Sequence, residues 1–217
     1  MLNNIEAMIF DLDGTLVDSM WIWKDIDNEY LNKFELQLPP NFQENIEGLS
    51  FTETALYFKE YFKISDSVEK IKEDWNALAM ELYCTKVPLK KNALRLLKYG
   101  KENKIKMGIA SSNSRELVTS VLKALEIDSY FDTVVTSCEA KKGKPAPDVY
   151  LLAAKNLNIA REKCLVFEDI LAGIKAGKCA SMKVCAVSDP YSDHTKHEKI
   201  KLADYYISDF SEVFISK

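Results

Sequence analysis

The sequence contains no apolar stretch long enough to cross a membrane, and its first residues lack the charged and apolar regions of a secretory signal peptide. Its five cysteines are odd in number and widely spaced, with no C-x-x-C pair to indicate zinc or redox chemistry. The formal net charge of −4 disfavours a surface for nucleic acid or for an anionic membrane. We therefore expect a cytoplasmic protein that binds neither nucleic acid nor membranes, and we expect it to be a monomer.

The composition is that of an ordinary soluble globular protein, with 47% hydrophobic and 29% charged residues. A chain of 217 residues is long enough for one full core with an insertion, or for two small domains. The sequence has no internal repeat and no flexible linker to mark a boundary. We therefore infer the domain boundaries from the hydrophobic pattern of the sequence.

The pattern between residues 19 and 88 predicts helices only, because apolar residues recur there at three- and four-residue spacing. The predicted helices cover residues 20–34, 51–62 and 66–84. Asp66, followed by Glu69 three residues later, is a plausible start signal for the last of them.

The rest of the chain alternates short strands with helices. The predicted strands are residues 7–11, 105–110, 133–136, 164–167, 183–187 and an edge strand at 205–207, and the predicted helices are residues 92–102, 115–125, 148–157 and 171–177. Such alternation predicts an α/β fold with a doubly wound parallel, Rossmann-like sheet. Since the first strand belongs to this sheet, the helical block must be an insertion that follows this strand. We expect a core of residues 1–18 and 89–217 and a cap of residues 19–88.

Two carboxylates, Asp11 and Asp13, follow the first strand and precede Gly14 and Thr15. In parallel sheets the chemistry gathers beyond the carboxyl ends of the strands. Residues two apart on extended backbone point the same way, so these carboxylates can converge on one Mg²⁺ or one substrate atom. An ordinary turn is the alternative, since Asp, Gly and Thr are common in turns.

Hydroxyl, amide and ammonium groups follow two other predicted strands. Ser111, Ser112 and Asn113 lie at the start of a helix, where they form either a helix cap or a cradle for phosphate. Lys144 belongs to a lysine run that is either solvated surface or, because prolines follow it directly, a lysine held in one direction.

The acidic pair Glu168-Asp169 follows the strand at 164–167 and offers hard oxygen ligands of the kind that Mg²⁺ prefers. An Asp cap on the next helix is the alternative for this pair. His194 and His197 have a spacing that could bind a metal on a helix, but their polar surroundings favour a surface position.

Taken in this order, the four motifs resemble those of the haloacid dehalogenase superfamily of phosphotransferases. The resemblance covers the whole chain, because an all-helical insertion after the first strand resembles the subfamily that contains β-phosphoglucomutase and many small-metabolite phosphatases. One departure is Ile170, where many relatives have serine. We expect this departure to perturb hydrogen bonds around the metal ligands more than the ligation itself.

The resemblance implies roles for the site residues. Asp11 would be the nucleophile that attacks phosphorus, and Asp13 the general acid and base. Mg²⁺ would be the cofactor, held by Asp11, the backbone carbonyl of Asp13, Asp169 and, directly or through water, Glu168. The phosphate group would be bound by Ser111, Ser112, Asn113 and Lys144.

The expected function is a Mg²⁺-dependent phosphatase that hydrolyses a small phosphorylated metabolite, a sugar phosphate or similar phosphomonoester, through an aspartyl phosphate. A phosphomutase of the β-phosphoglucomutase type is the alternative, but that enzyme's cap carries a histidine and an arginine at positions that align with Trp23 and Phe51 here. We expect these two cap residues to contact the substrate. A phospho-accepting receiver module would lack the long helical insertion, and a 2-haloacid dehalogenase would not need Asp13 or the acidic pair.

Overall fold

The computed structural model describes residues 1–40 and 42–214; residues 41 and 215–217, which fall in the predicted cap and core ranges, lie outside the described residues. The described residues contain one six-stranded parallel sheet with the strand order β3-β2-β1-β4-β5-β6. The strands are β1 (Ala7–Phe10), β2 (Lys106–Ser111), β3 (Thr133–Thr136), β4 (Cys164–Glu168), β5 (Lys183–Val187) and β6 (Tyr205–Ile207).

The first strand is the centre of the sheet because every one of its side chains is apolar and buried. β1 pairs in parallel with β2 on one side and with β4 on the other. The carboxyl ends of these three strands therefore meet at one edge of the sheet. Asp11 follows β1, Ser111 ends β2 and Glu168 ends β4, so the polar motifs converge there.

We call residues 19–88 the cap. Its described residues form four α-helices, which follow β1 and precede the rest of the sheet in the chain. They are α1 (Met20–Asn32), α2 (Phe42–Ile46), α3 (Phe51–Phe62) and α4 (Val68–Thr85). α2 has only five residues, too few to show a helical period, and the sequence did not predict it. α4 begins after Ser67, whose hydroxyl accepts a hydrogen bond from Lys70 N at 3.1 Å. The capping residue is therefore Ser67 and not the predicted Asp66, and the helix begins two residues later than predicted; Asp66 instead accepts from the Tyr30 hydroxyl at 3.2 Å.

Five further helices cover the two faces of the sheet. They are α5 (Ala93–Glu102), α6 (Arg115–Ala124), α7 (Asp148–Leu157), α8 (Leu171–Cys179) and α9 (Lys196–Leu202). Met8 and Phe10 of β1 belong to a buried cluster with α5 and α6, whereas Ala7 and Ile9 belong to a cluster with α7 and α8. Alternate side chains of one strand thus pack on opposite helical layers, which confirms the predicted doubly wound α/β fold.

The cap contacts the core close to the sheet edge that carries the motifs. Phe51 N donates to Ser112 O at 2.8 Å, and the Ser112 hydroxyl donates to Gly48 O at 3.3 Å. Gly48 has a φ of +84°, and a Cβ there would lie 2.7 Å from that of Ala172. Within residues 1–40 and 42–214, none of the helices combines the length and the apolarity that a membrane crossing needs.

Candidate active site

One ammonium group joins two carboxylates at the centre of the site. Lys144 Nζ donates to Asp11 Oδ1 at 2.6 Å and to Glu168 Oε1 at 2.5 Å, and all three side chains are buried. Burial raises the pKa of Asp11 to about 8, against the opposing charge of Lys144. Burial alone would lower the pKa of Lys144, but the charges of Asp11 and Glu168 outweigh it and raise that pKa. Lys144 is therefore the fixed positive charge of the site.

Glu168 is held on all sides by protein donors. Its Oε1 also accepts from the Tyr150 hydroxyl at 2.9 Å, and its Oε2 accepts from the backbone N of Ile170 at 3.0 Å. Gly173 of α8 lies directly against this carboxylate, because a Cβ on that glycine would be 1.7 Å from Oε1. The close packing of α8 and the bond from the Ile170 backbone fix Glu168 in one position.

Asp169 presents one satisfied and one unsatisfied carboxylate oxygen. The Thr15 hydroxyl donates to Oδ1 at 2.8 Å, whereas Oδ2 is buried and has no hydrogen-bond partner among the described residues. The backbone carbonyl of Asp169 accepts from Lys199 Nζ at 2.9 Å. Burial, together with the charges of Glu168 and Asp11, raises the pKa of Asp169 well above its ordinary value. A buried acceptor without a donor is costly and calls for a cation or a proton.

The acidic residues fit a magnesium ion. One carboxylate oxygen from each of Asp11, Glu168 and Asp169 lies within 4.8 Å of the other two. One or two carboxylates, together with phosphate oxygens and waters, are the donor set that Mg²⁺ binds in phosphoryl-transfer sites. The orphaned Oδ2 of Asp169 is the atom that such an ion would satisfy.

Asp13 turns away from the acidic cluster and towards the cap. Its Oδ1 accepts from the Ser19 hydroxyl at 2.5 Å and from the Tyr83 hydroxyl, and its Oδ2 accepts from Asn113 Nδ2 at 3.0 Å. The carboxylates of Asp11 and Asp13 thus have different surroundings although they are two residues apart in the chain. Asp11 lies beside Lys144, whereas hydroxyl and amide donors surround Asp13.

The residues predicted to bind phosphate line one cavity together with Asp11 and Asp13. Ser111 is buried at the end of β2, where its hydroxyl accepts from Asn113 N at 3.0 Å. The Asn113 amide donates to Asp13 and to the Tyr83 hydroxyl, and the Ser112 hydroxyl donates to the cap. The structure thus brings these three residues and Lys144 to one wall of a cavity that Asp11 also lines.

This cavity lies between cap and core and has a volume of about 430 Å³, within the range of small-molecule sites. Trp23 and Phe51 form part of its cap wall, with ring centroids 6.5 Å apart and planes at 66°. His194 also lines the cavity, although its side chain is exposed as the sequence predicted. The two cap positions singled out from the sequence therefore line the same cavity as Asp11, at the carboxyl edge of the sheet.

Among the buried polar side chains around the site that sequence reasoning missed are Tyr83, Tyr150 and Lys199. Tyr83 lies on the buried face of α4 with Trp75 and Ala79, so its spacing indicates a core residue. Lys199 lies in α9, which the sequence did not predict. Nothing in their local sequence indicates that Tyr83 and Tyr150 reach carboxylates or that Lys199 reaches the backbone carbonyl of Asp169.

The chain is similar to several known proteins. A model of haloacid dehalogenase-like hydrolases matches residues 8–187. A phosphorylated carbohydrates phosphatase from Thermotoga maritima is 28% identical over 179 residues, which are 82% of this chain and 83% of that protein. β-Phosphoglucomutase from Clostridium difficile superposes with a TM-score of 0.82 at 26% identity, over 96% of this chain and 93% of its own.

The fold match extends to CbbY from Rhodobacter sphaeroides in complex with phosphate, with a TM-score of 0.86 at 23% identity over 97% of this chain and 96% of the other. The family match includes the segments that carry Asp11, Lys144 and Glu168. This chain therefore belongs to the haloacid dehalogenase-like hydrolase family.

Proposed function

We propose that this protein is a Mg²⁺-dependent phosphatase that hydrolyses a small phosphorylated metabolite, a sugar phosphate or a similar phosphomonoester, through an aspartyl phosphate. The observation that carries the proposal is the pairing of Asp11 with Lys144 beside Asp169, whose Oδ2 is buried and unpartnered among the described residues. Family membership supports hydrolysis, and the Thermotoga maritima relative is named a phosphatase of phosphorylated carbohydrates.

Asp11 is the proposed nucleophile. Its bond to Lys144 holds the carboxylate in one orientation at the wall of the cavity, and the ammonium offsets negative charge that would repel a phosphate. Attack of a carboxylate oxygen on phosphorus forms an aspartyl phosphate and releases the alcohol, and water then cleaves the acyl phosphate. Ser111, Ser112, Asn113 and Lys144 would donate hydrogen bonds to the remaining phosphoryl oxygens.

Asp13 is the proposed general acid and base. Three donors, Ser19, Tyr83 and Asn113, fix its carboxyl group on the cap side of Asp11. In the first step Asp13 gives a proton to the leaving oxygen, and in the second it takes one from the attacking water. The carboxyl group thus returns to its starting state after each turnover.

Mg²⁺ would be held by Asp11, Asp169 and the backbone carbonyl of Asp13. Glu168 would contribute directly or through water, and its three bonds to Lys144, Tyr150 and Ile170 favour the water-mediated arrangement. When bound, the ion would supply positive charge that neutralises the phosphoryl oxygens during transfer.

The cap of residues 19–88 is the proposed specificity element, closing over the site and excluding bulk water. It would act within a monomer on a phosphorylated small molecule. Trp23 and Phe51 are apolar where β-phosphoglucomutase carries a histidine and an arginine. A mutase has to bind a second phosphate, for which a cationic cap residue is the natural partner, so these residues favour a phosphatase.

The test is phosphate release from a panel of phosphorylated metabolites with Mg²⁺ and with excess chelator. We expect release that requires the ion and that is abolished in Asp11→Asn with the fold retained. Wild-type activity in that variant or in chelator would overturn the mechanism. Isomerisation of β-glucose 1-phosphate that outpaces phosphate release, with or without a sugar bisphosphate, would favour the phosphomutase.

A further inference from the structure

The cavity continues beyond the catalytic loop along one face of α1. Met20, Trp23, Lys24 and Asp27 follow one another at the spacing of a single helical face, and all four line the cavity. Asp27 is two helical turns beyond Met20, about 10 Å along the axis. The cavity wall is therefore much longer than a phosphate group needs, and its far end carries a carboxyl group.

Asp27 is only 5% exposed, and its surroundings satisfy it poorly. Within the described ranges its side chain has one hydrogen-bond partner, Gln43 Nε2, which donates to Oδ2 at 2.6 Å. Burial raises the pKa of Asp27 to about 7, and the bond from Gln43 only partly opposes this effect. A buried carboxyl group with a single amide partner has room for a further donor. Since Gln43 is exposed, a ligand entering the cavity can meet the pair.

Other side chains that line the cavity restrict the chemistry of that donor. Lys24, one turn before the end of the lining face, has an ammonium group that repels a cationic ligand. Trp23 offers a half-buried aromatic surface suited to a flat ring. The indole N–H of Trp75, which lines the same cavity, is buried and has no partner in the described part of the chain. A ligand that carries an acceptor as well as the donor could satisfy that group too.

We propose that Asp27 is a specificity-determining residue that accepts a hydrogen bond from a ring N–H at the far end of the leaving group, so that the preferred substrate is a phosphomonoester of a sugar that carries a flat, uncharged ring, as in a nucleoside 5′-phosphate. This inference rests on the proposed phosphatase function. It explains why the cavity extends beyond the space that a phosphate group would occupy. A short polyol phosphate would leave Asp27 facing water and the aromatic wall uncovered.

The test compares substrates that carry, block or lack the ring N–H. Uridine 5′-phosphate has a ring N–H, 3-methyluridine 5′-phosphate has a methyl group in its place, and ribose 5-phosphate has no ring base. We expect kcat/KM for uridine 5′-phosphate to exceed that for either analogue at least about tenfold, because the analogues leave a buried carboxyl group without its donor. Equal values for uridine 5′-phosphate and its methylated analogue would overturn the proposal, as would a preference for phosphoethanolamine, whose donor is an ammonium group.

The variant Asp27→Asn keeps the size of the side chain and the bond from Gln43. It turns an N–H donor towards the ligand, so we expect the preference for uridine over 3-methyluridine 5′-phosphate to fall about tenfold or more. The exposed neighbour Asp25 supplies the matched control, since Asp25→Asn changes the same charge outside the cavity and should keep the preference. An unchanged preference in Asp27→Asn would refute the proposed role.

A binding measurement separates this inference from the phosphatase function. Both uridine phosphates can be titrated by calorimetry into Asp11→Asn and into the double variant with Asp27→Asn. Tighter binding of the unmethylated compound only where Asp27 is present supports the subsite even if no substrate is hydrolysed. Equal binding of the two compounds by Asp11→Asn overturns the subsite even if the enzyme is a phosphatase.

Discussion

Tyr83 of the cap helix α4 donates its hydroxyl hydrogen to Asp13 of the core loop after β1. The same hydroxyl accepts from Asn113 Nδ2 at 2.9 Å, and its ring packs against Trp23 with centroids 5.9 Å apart. Burial and the charge of Asp13 raise the pKa of Tyr83 well above its ordinary value, so the hydroxyl stays protonated. A side chain of the cap thus orients the carboxyl group that we propose as the general acid of the core.

Replacing Tyr83 with phenylalanine removes one of the three donors to Asp13 and keeps the ring. We expect kcat to fall about tenfold to a hundredfold on alkyl phosphates, whose leaving oxygen needs a proton, with little change in KM. The loss of kcat should be much smaller on p-nitrophenyl phosphate, because its leaving group, p-nitrophenolate, departs without protonation. Steady-state kinetics on both substrate types checks this expectation.

Tyr61→Phe is the matched control, because Tyr61 is an exposed tyrosine of α3 and should tolerate the change. An equal loss of kcat on alkyl and nitrophenyl phosphates in Tyr83→Phe would mean that the tyrosine supports the cap and does not position Asp13.

Magnesium should stabilise the wild-type protein, since the ion would satisfy the orphaned Oδ2 of Asp169 and offset three clustered carboxylates. We expect the melting temperature to rise by several degrees in millimolar Mg²⁺ and the rise to disappear in Asp169→Asn. Without metal, Asp169→Asn should be more stable than the wild type, because burial disfavours the charge that the variant removes.

Thermal unfolding with Mg²⁺ and with chelator measures both effects. Glu198→Gln removes an exposed carboxylate of α9 and should keep the response to the ion. A full response in Asp169→Asn would place the ion elsewhere.

The strand ends could be predicted from the sequence because buried parallel strands are short apolar runs, and residues that follow such runs meet at one edge. This reasoning predicts that Asp11, Ser111 and Glu168 lie close together, without knowledge of any contact between them. Their catalytic roles stay predictions. The same argument says nothing of Tyr83 or Lys199, because the sequence of a buried helix face is the same whether its residues touch another helix or a polar group of the site.

Gly173 should tolerate no side chain. Alanine is favoured over glycine inside a helix by about 1 kcal/mol, but its Cβ would lie 1.7 Å from Glu168 Oε1 and would displace the partner of Lys144. We expect Gly173→Ala to lose stability by roughly 2 kcal/mol or more and to lose most of its activity. Gly100→Ala is the control, since the nearest atoms to a Cβ there are the flexible ends of Met8 and Met107. Denaturant unfolding measures the free energy of unfolding of both variants. A Gly173→Ala variant as stable as the wild type would contradict the close packing of Gly173 against Glu168.

Asp27 should lower the stability of the folded protein at neutral and alkaline pH. The pKa of its carboxyl group is raised from 3.8 to about 7 by burial, so the folded state keeps a proton that the unfolded state releases between these values. Stability from this group is therefore full below about pH 4, falls as the pH rises towards 7, and stays constant above it.

Asp27→Asn has no such charge to bury. We expect its melting temperature to exceed that of the wild type by roughly 5 °C at pH 8, and the gap to close as the pH falls to 4. Melting curves of the wild type, Asp27→Asn and the exposed control Asp25→Asn across this range measure the gap, and the paired comparison cancels the other buried carboxylates. A gap that does not depend on pH would mean that Asp27 is charged in the folded state at no cost, with a donor that satisfies it.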